Sequence, residues 1–340
     1  MLLPKRLPVL LVALALVLGS ALYLLYADYR RFLDTPLAGP SDGLTLEVKP
    51  GTGVGDIARE LQKQPGLTRP AFYLESYVRF NGLSSRLKAG EYTVTPATTP
   101  RELIDQIVAG RVLQYTLSVV EGWTFKQLRQ ALAAHPKIVQ TLRDASDAEV
   151  MVRLGRAGQH PEGRFFPDTY HFPAGTTDEA FLRRALATMD RQLGEAWSRR
   201  APDAPLADPY QALILASVVE KETGLPEERP AIAGVFARRL RKGMPLQTDP
   251  TIIYGLGAAF DGNLRRHDLT ADGPYNTYTR KGLPPTPIAL PGAQALAAAV
   301  NPAPGDSLYF VATGEGGHAF SATLTEHNQA VRRYQLKRKN

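Results

Sequence analysis

The 340-residue chain contains no cysteine. Disulfides, thiolate metal centres and cysteine nucleophiles are thereby excluded. Histidine is sparse: the six histidines stand at 135, 160, 171, 267, 318 and 327. None shows HExxH or comparable ligand spacing, and the most tempting pair, His160 and His171, only brackets a Pro/Gly-rich loop, so no metal is expected. Gly255, Gly257, Gly262 and Gly273 lack the strand–GxGxxG–helix setting, which removes the case for a nucleotide cofactor. No cofactor of any kind is expected. There is no internal repeat and no low-complexity segment. The net charge is +7, but the basic residues form no stripe interleaved with aromatics, so nucleic acid is not the expected partner. An anionic polymer or a membrane surface suits the charge better. Arg332, Arg333, Lys337, Arg338 and Lys339 read as a solvated basic tail.

No residue from Leu7 to Tyr26 is charged. At about 1.5 Å per residue this run is long enough to cross a hydrocarbon core of roughly 30 Å. Lys5 and Arg6 precede it, and Tyr23 and Tyr26 stand near its far end, as interfacial aromatics do. Gly19-Ser20-Ala21 offers small residues for signal cleavage, but Leu22 to Leu25 continue the apolar run past them. The run also exceeds the usual h-region of about 7–15 residues. An uncleaved signal anchor at 7–26 is expected, with a cytoplasmic stub at 1–6 and the bulk of the chain outside. Arg30 and Arg31 weaken the charge asymmetry behind that orientation.

Beyond the anchor, residues 27–43 read as a linker broken by Pro36, Gly39 and Pro40. Leu44–Val48 alternates as a strand, helices follow from Val54 and over Ala71–Phe80, and Leu87–Val94 returns as a strand. This strand–helix–helix–strand order resembles a LysM-like module at 44–97. Pro96–Arg101 reads as a hinge before a helix at Glu102–Ala109. Tyr115–Val120, Thr251–Tyr254 and Leu308–Ala312 read as strands, and Thr124–Ala134 and Leu182–Trp197 as helices. The expected fold is α+β: a transmembrane helix, the small module, and a larger mixed domain at 98–335 before the tail at 336–340.

The most informative segment is Ala216–Pro250. Asp208 is a fitting N-cap and Pro209 a fitting first residue for a helix that is apolar nearly all round from Gln211 to Val219, and therefore buried. Gly224 is the expected stop. Glu220 and Glu222 fall at its C-terminal end. There, loss of water and the negative helix pole both favour the protonated carboxyl, which is what a general acid for glycosidic cleavage requires. Helical phase does not choose between the two. A second helix opens after Glu227-Glu228, and the polar run Gln247-Thr248-Asp249 follows it, a good place for substrate contacts.

Val219-Glu220-Lys221-Glu222-Thr223, Leu246-Gln247-Thr248-Asp249-Pro250-Thr251, Tyr275-Asn276-Thr277-Tyr278, Pro161-Glu162-Gly163, Ala289-Leu290-Pro291-Gly292 and Gly316-Gly317-His318 come in the order found in the YceG-like family. The chain resembles that family, the membrane-anchored endolytic murein transglycosylases of bacteria, over roughly residues 45–335. The resemblance implies a lyase acting on peptidoglycan strands, with the first glutamate of the VEKET motif, here Glu220, as the acid. One acid suffices for that chemistry: the muramyl 6-hydroxyl closes a 1,6-anhydro ring, and the same residue gives one proton and takes another. Gln247, Asp249, Tyr254, Asn276 and Tyr278 are the expected substrate-binding residues, with Glu162 and Glu222 in support. The resemblance also implies a single-pass protein of the inner (cytoplasmic) membrane, with peptidoglycan polymerases as partners. A glycan-binding scaffold with a vestigial acid, and a hydrolase pairing Glu220 with Asp249 or Glu162, are the competing readings.

Overall fold

The structure, a computed structural model, describes residues 7–37, 42–63 and 70–336. The expected cytoplasmic stub, Gly39 and Pro40 of the expected linker, and Lys337, Arg338 and Lys339 of the basic tail lie outside the described residues. The chain divides into two compact units, residues 1–115 with 172–174, and residues 116–171 with 175–340.

The first unit begins with helix α1 (Leu7–Asp34). Over Val9–Asp34 it is long and apolar enough to cross a membrane, and the 18-residue stretch that makes it so has no share buried in protein. The linker expected from residue 27 is helical up to Asp34 instead. No breaker occurs before Pro36, and Phe32 and Leu33 are buried in the core of the unit, so packing keeps the last turns helical. Strand β1 (Leu44–Val48), helices α2 (Val54–Lys63) and α3 (Ala71–Phe80), and strand β2 (Gly90–Val94) follow in the expected order. β1 and β2 pair antiparallel, with Leu46 opposite Tyr92. Alternation sends Leu46, Val48, Tyr92 and Val94 to the same core as Ile57, Leu74 and Val78. Helix α4 (Pro100–Ala109) belongs here too. Thr99 and Glu102 form its capping box, and Leu103, Ile104 and Ile107 complete the core. The compact unit thus runs past the expected module edge at residue 97 to Tyr115, with α4 supplying one wall of its hydrophobic cluster.

The boundary between the units passes through β3 (Gln114–Ser118) and β5 (Thr169–Pro173). In the second unit, α5 (Phe125–Ala134) and α6 (Asp147–Arg153) each start with a capping box, at Thr124 and Ser146. The short strands β4 (Ile138–Val139) and β6 (Thr176–Thr177) pair in parallel before the long helix α7 (Asp178–Ser198). At the centre lies α8 (Pro209–Glu222), with Ala212 to Val219 all buried. Asp208 accepts from the Gln211 N–H at 2.9 Å, as its capping position predicts. The one polar side chain in that run, Ser217, is fully satisfied: its hydroxyl donates to the Ile214 carbonyl (2.7 Å) and accepts from the Ile288 N–H (3.0 Å). α9 (Arg229–Arg241) and α12 (Ala293–Val300) pack against α8 through Ile232, Phe236, Leu296 and Ala299.

One local expectation is met and one corrected. α8 ends at Glu222 with Thr223 as its extended C-cap (φ −143°, ψ 136°), its hydroxyl accepting from the Leu225 N–H, so Gly224 stands just past the end as expected. Thr251–Tyr254 is not a strand but part of helix α10 (Asp249–Leu256). Thr248 is its N-cap and Pro250 falls in its first turn, a start signal that outweighs the β-branched run. The short helix α11 (Arg266–Thr270) precedes the Tyr275–Tyr278 loop. The strands β7 (Tyr309–Ala312) and β8 (His318–Ser321) pair antiparallel, and α13 (Leu324–Val331) follows.

Candidate active site

The C-terminal turn of α8 ends beside a cavity of ≈ 580 Å³ in the second unit. Its walls include Glu222, Arg239, Gln247, Asp249, Tyr278, Tyr309, His318 and His327. Three loops or helix ends meet there: the end of α8, the turn Leu246–Asp249 leading into α10, and the Tyr275–Tyr278 segment. Thr248 links the first two, its hydroxyl donating to Glu222 Oε1. The Gln247 N–H donates to the Thr277 carbonyl at 3.0 Å and the Tyr278 hydroxyl to Asp249 Oδ1 at 2.7 Å, which join the second and third.

Glu222 is held protonated well into the neutral range. Burial pushes its carboxyl up to about 7. The Thr248 hydroxyl works against this, the nearby Asp249 charge adds to it, and His318 opposes it. Burial also raises Tyr278, and its hydrogen bond to Asp249 keeps the phenol neutral.

Gln247 is the one non-glycine residue with positive φ (51°) among those described. Its backbone is tolerated because Arg239 surrounds the turn. That buried guanidinium donates to the carbonyls of Leu308 (2.7 Å), Pro245 (3.1 Å) and Leu246 (2.9 Å) and to Gln247 Oε1 (3.1 Å). The strained turn is what turns the Gln247 side chain into the cavity wall.

Glu220 is in a different setting. Its side chain is 4% exposed and its Oε1 pairs with Arg229 Nη2 at 2.9 Å. Oε2 accepts from the Gly292 N–H at 3.0 Å. Arg229 also reaches Gln294 (2.9 Å) and Glu121 (3.4 Å). Burial raises the Glu220 carboxyl, while the Gly292 N–H and Arg229 pull it down. Both oxygens are thus committed to a clamp that ties the end of α8 to the starts of α9 and α12. Glu220 is not among the residues that line the cavity with Glu222.

A second cavity, ≈ 610 Å³, is lined by Thr124, Phe125, Glu162, Lys221, Ile253 and Tyr254 among others. Glu162 is 4% exposed. It accepts from the Phe125 N–H (2.9 Å) and the Tyr254 hydroxyl (3.1 Å), and burial raises its carboxyl to about 7. Asn276 is buried, and its amide is used up by backbone. It donates to the carbonyls of Asp268, Leu269 and Ala271 and accepts from the N–H groups of Tyr278 and Thr279.

The expected substrate residues are therefore sorted by the fold. Gln247, Asp249 and Tyr278 converge on the Glu222 cavity. Tyr254 and Glu162 line the other one, and Asn276 shapes the loop that carries Tyr278. Arg239 and His318 went unrecognised as cavity residues. Arg239 falls seven residues after Ile232 and three after Phe236, on the buried face of α9, and that phase is its only signal. His318 pairs through Nδ1 with Glu228 Oε2 at 2.7 Å while Glu228 also accepts the His318 N–H. Among the described residues no three His, Asp or Glu side chains converge as metal ligands.

The sequence model of the YceG-like family matches residues 46–333. The endolytic murein transglycosylase of Bacillus subtilis is 30% identical over 308 residues, covering 86% of this chain and 84% of that one. The endolytic murein transglycosylase of Streptococcus pneumoniae is 28% identical over 350 residues and covers 90% of this chain, which spans only 61% of its length. The crystal structure of a YceG-like protein from Listeria monocytogenes matches with a TM-score of 0.55 at 29% identity, over 85% of this chain and 99% of that one. The chain therefore belongs to the YceG-like family.

Proposed function

We propose that the chain is an endolytic peptidoglycan lytic transglycosylase in which Glu222, rather than Glu220, is the acid. The observation that carries this is a carboxyl raised to about 7 in the wall of a cavity it shares with Gln247, Asp249 and Tyr278. The murein transglycosylase names of the relatives support the substrate class. Protonated Glu222 donates to the oxygen of the β-1,4 bond between N-acetylmuramic acid and N-acetylglucosamine, and that bond breaks as positive charge grows at the muramyl C1. The resulting carboxylate takes the proton of the muramyl 6-hydroxyl as that oxygen attacks C1. The products are a 1,6-anhydromuramyl end and a free 4-hydroxyl, and Glu222 regains its proton. Gln247 hydrogen-bonds sugar substituents, Tyr278 offers a ring face, and Asp249 stabilises the oxocarbenium-like centre. Glu220, bound to Arg229 and Gly292, holds the end of α8 in place.

In this reading α1 anchors the protein in the cytoplasmic membrane with the catalytic unit outside. The first unit is a LysM-like module, and polymerases supply nascent strands for release. Glycan strands digested with the full-length protein and analysed by mass spectrometry should carry anhydromuramyl ends. Reducing ends would favour a hydrolase with Asp249 as the second carboxylate, a reading that their shared cavity supports. No cleavage with glycan binding retained would refute the enzyme altogether.

A further inference from the structure

Helix α1 does not hand over to a tether; it enters the first unit directly. Every α1 residue described from Val9 to Ala27 is exposed, and burial begins at Asp28. The uncharged run ends at Tyr26, so the bare and covered parts of the helix meet within two residues, about 3 Å along the axis. The contacts that begin there come from the start of α3. The Tyr73 hydroxyl donates to Asp28 Oδ2 at 2.8 Å, and its ring packs on Tyr29 (5.9 Å between centroids) and Phe32 (5.4 Å). Farther along α1, Asp34 pairs with Arg101 at 3.0 Å, and the Arg101 guanidinium lies 5.4 Å over the Tyr77 ring. Tyr73 thus meets α1 from Asp28 to Phe32, and Tyr77, one turn on, meets it beside Tyr29 and through Arg101, which reaches on to Asp34. α3 climbs away from the apolar run in the same sense as α1.

This order fixes which part of the unit comes lowest. Phe72 precedes Tyr73, stacks edge-on to it at 4.5 Å, and is still 52% exposed. Phe80, eight residues and about 12 Å farther up the helix, is 84% exposed. Resting on the reading that α1 crosses the bilayer, we propose that the first unit sits on the membrane surface, with Phe72 inserted at the headgroup–acyl boundary and Phe80 in water. The occupant of the exposed Phe72 face is lipid, because that face continues the membrane-exposed surface of α1 at the height where the apolar run ends. Arg30 and Arg31, exposed on the same turn of α1, suit anionic headgroups. The unit is a foot on the membrane, its orientation set by the shared core of Phe32, Leu33 and Leu37 with β1, β2 and α4.

The absence of cysteine makes single-site spin labelling direct. Full-length Leu16→Cys, Phe72→Cys and Phe80→Cys variants, nitroxide-labelled and reconstituted in phosphatidylcholine/phosphatidylglycerol vesicles, are compared by power saturation with oxygen and a water-soluble nickel chelate. The label at 16 should read deep. The label at 72 should read at headgroup depth, with nickel accessibility several-fold below that at 80. A deep label at 16 with 72 and 80 equally aqueous would overturn the proposal and leave the anchor standing. An aqueous label at 16 would overturn both. A label at 80 reading as deep as 72 would overturn the orientation of α3. Phe72 is half exposed, so melting of the Phe72→Cys variant should match the parent, which keeps a misfolded unit from being mistaken for a refutation.

Discussion

Glu222→Gln and Glu220→Gln differ by one side-chain atom each and should fail in opposite ways. Glu222→Gln keeps the shape of the side chain and an acceptor for the Thr248 hydroxyl but removes the transferable proton. General acid–base groups contribute roughly 10²- to 10⁴-fold, and turnover should fall by at least that much. Folding should not suffer. The folded carboxyl titrates near 7 against an ordinary 4.5. The folded state therefore holds an extra proton between those values. Stability is greatest below about 4.5, falls as pH rises through that window, and carries the full cost above about 7. At 1.36 kcal/mol per unit the cost is at most about 3 kcal/mol, and glutamine escapes it. Glu222→Gln should thus melt no lower than the parent at pH 8. Glu220→Gln leaves the Arg229 guanidinium, 6% exposed, without its closest carboxylate. Breaking such a pair costs about 3–5 kcal/mol, and the remaining Glu121 contact at 3.4 Å places this case at the lower end. For a unit of this size, about 3 kcal/mol lowers Tm by roughly 6–12 °C. The assay is paired: anhydromuramyl release per folded molecule below the transition, and thermal melts at pH 8. Glu220→Gln should lose stability and keep most of its turnover. A Glu220→Gln variant as stable as the parent but inactive, beside an active Glu222→Gln, would refute the assignment.

Four further outcomes follow from the same contacts. Thr248→Val removes the hydroxyl that favours the ionised Glu222, so the alkaline limb of the rate–pH profile, near 7 in the parent, should move to higher pH. Gln247→Gly and Gln247→Ala should both weaken glycan binding, seen as raised KM. Glycine alone relieves the φ of 51°, so its variant should be the more stable of the two by about 1 kcal/mol in denaturant titrations. Glu162, also raised to about 7, should make stability fall between pH 4.5 and 7, and Glu162→Gln should flatten that slope in chemical denaturation at pH 5 and 8. Gly234→Ala would set a Cβ 2.5 Å from the Ala303 carbonyl oxygen, and because that neighbour is backbone the α9 packing must shift, at about 1–3 kcal/mol in thermal melts.

The parts of this fold that are legible in the sequence are those set by local chemistry. Asp208-Pro209 followed by a run apolar but for Gln211 and Ser217 marks the start of a buried helix, and Thr124 opens α5 where a helix is expected. α10 was less legible because the β-branched Thr251-Ile252-Ile253 argues for a strand, while the deciding start signal lies in Asp249-Pro250 and the Thr248 cap. The end of α1 was obscured for a different reason. Asp28 to Asp34 is polar enough to pass for a linker, and only the distant partners Tyr73 and Arg101 show that packing holds it helical. The same limit governs the two glutamates. Residues two apart on a helix project about 200° apart, so the VEKET motif necessarily sends its carboxyls to different surroundings. Which surroundings each meets is decided by Arg229 and Gly292 for Glu220, and by Thr248 and Asp249 for Glu222. Those partners come from other helices and loops, out of reach of any local pattern. The division of labour follows from their chemistry: a carboxyl whose two oxygens are taken up by a cation and an N–H is fixed in place, although burial still raises it, and that suits a clamp. A carboxyl that burial lifts to about 7, with the Asp249 charge adding and the Thr248 hydroxyl opposing, is suited to the proton exchange with a sugar proposed for Glu222.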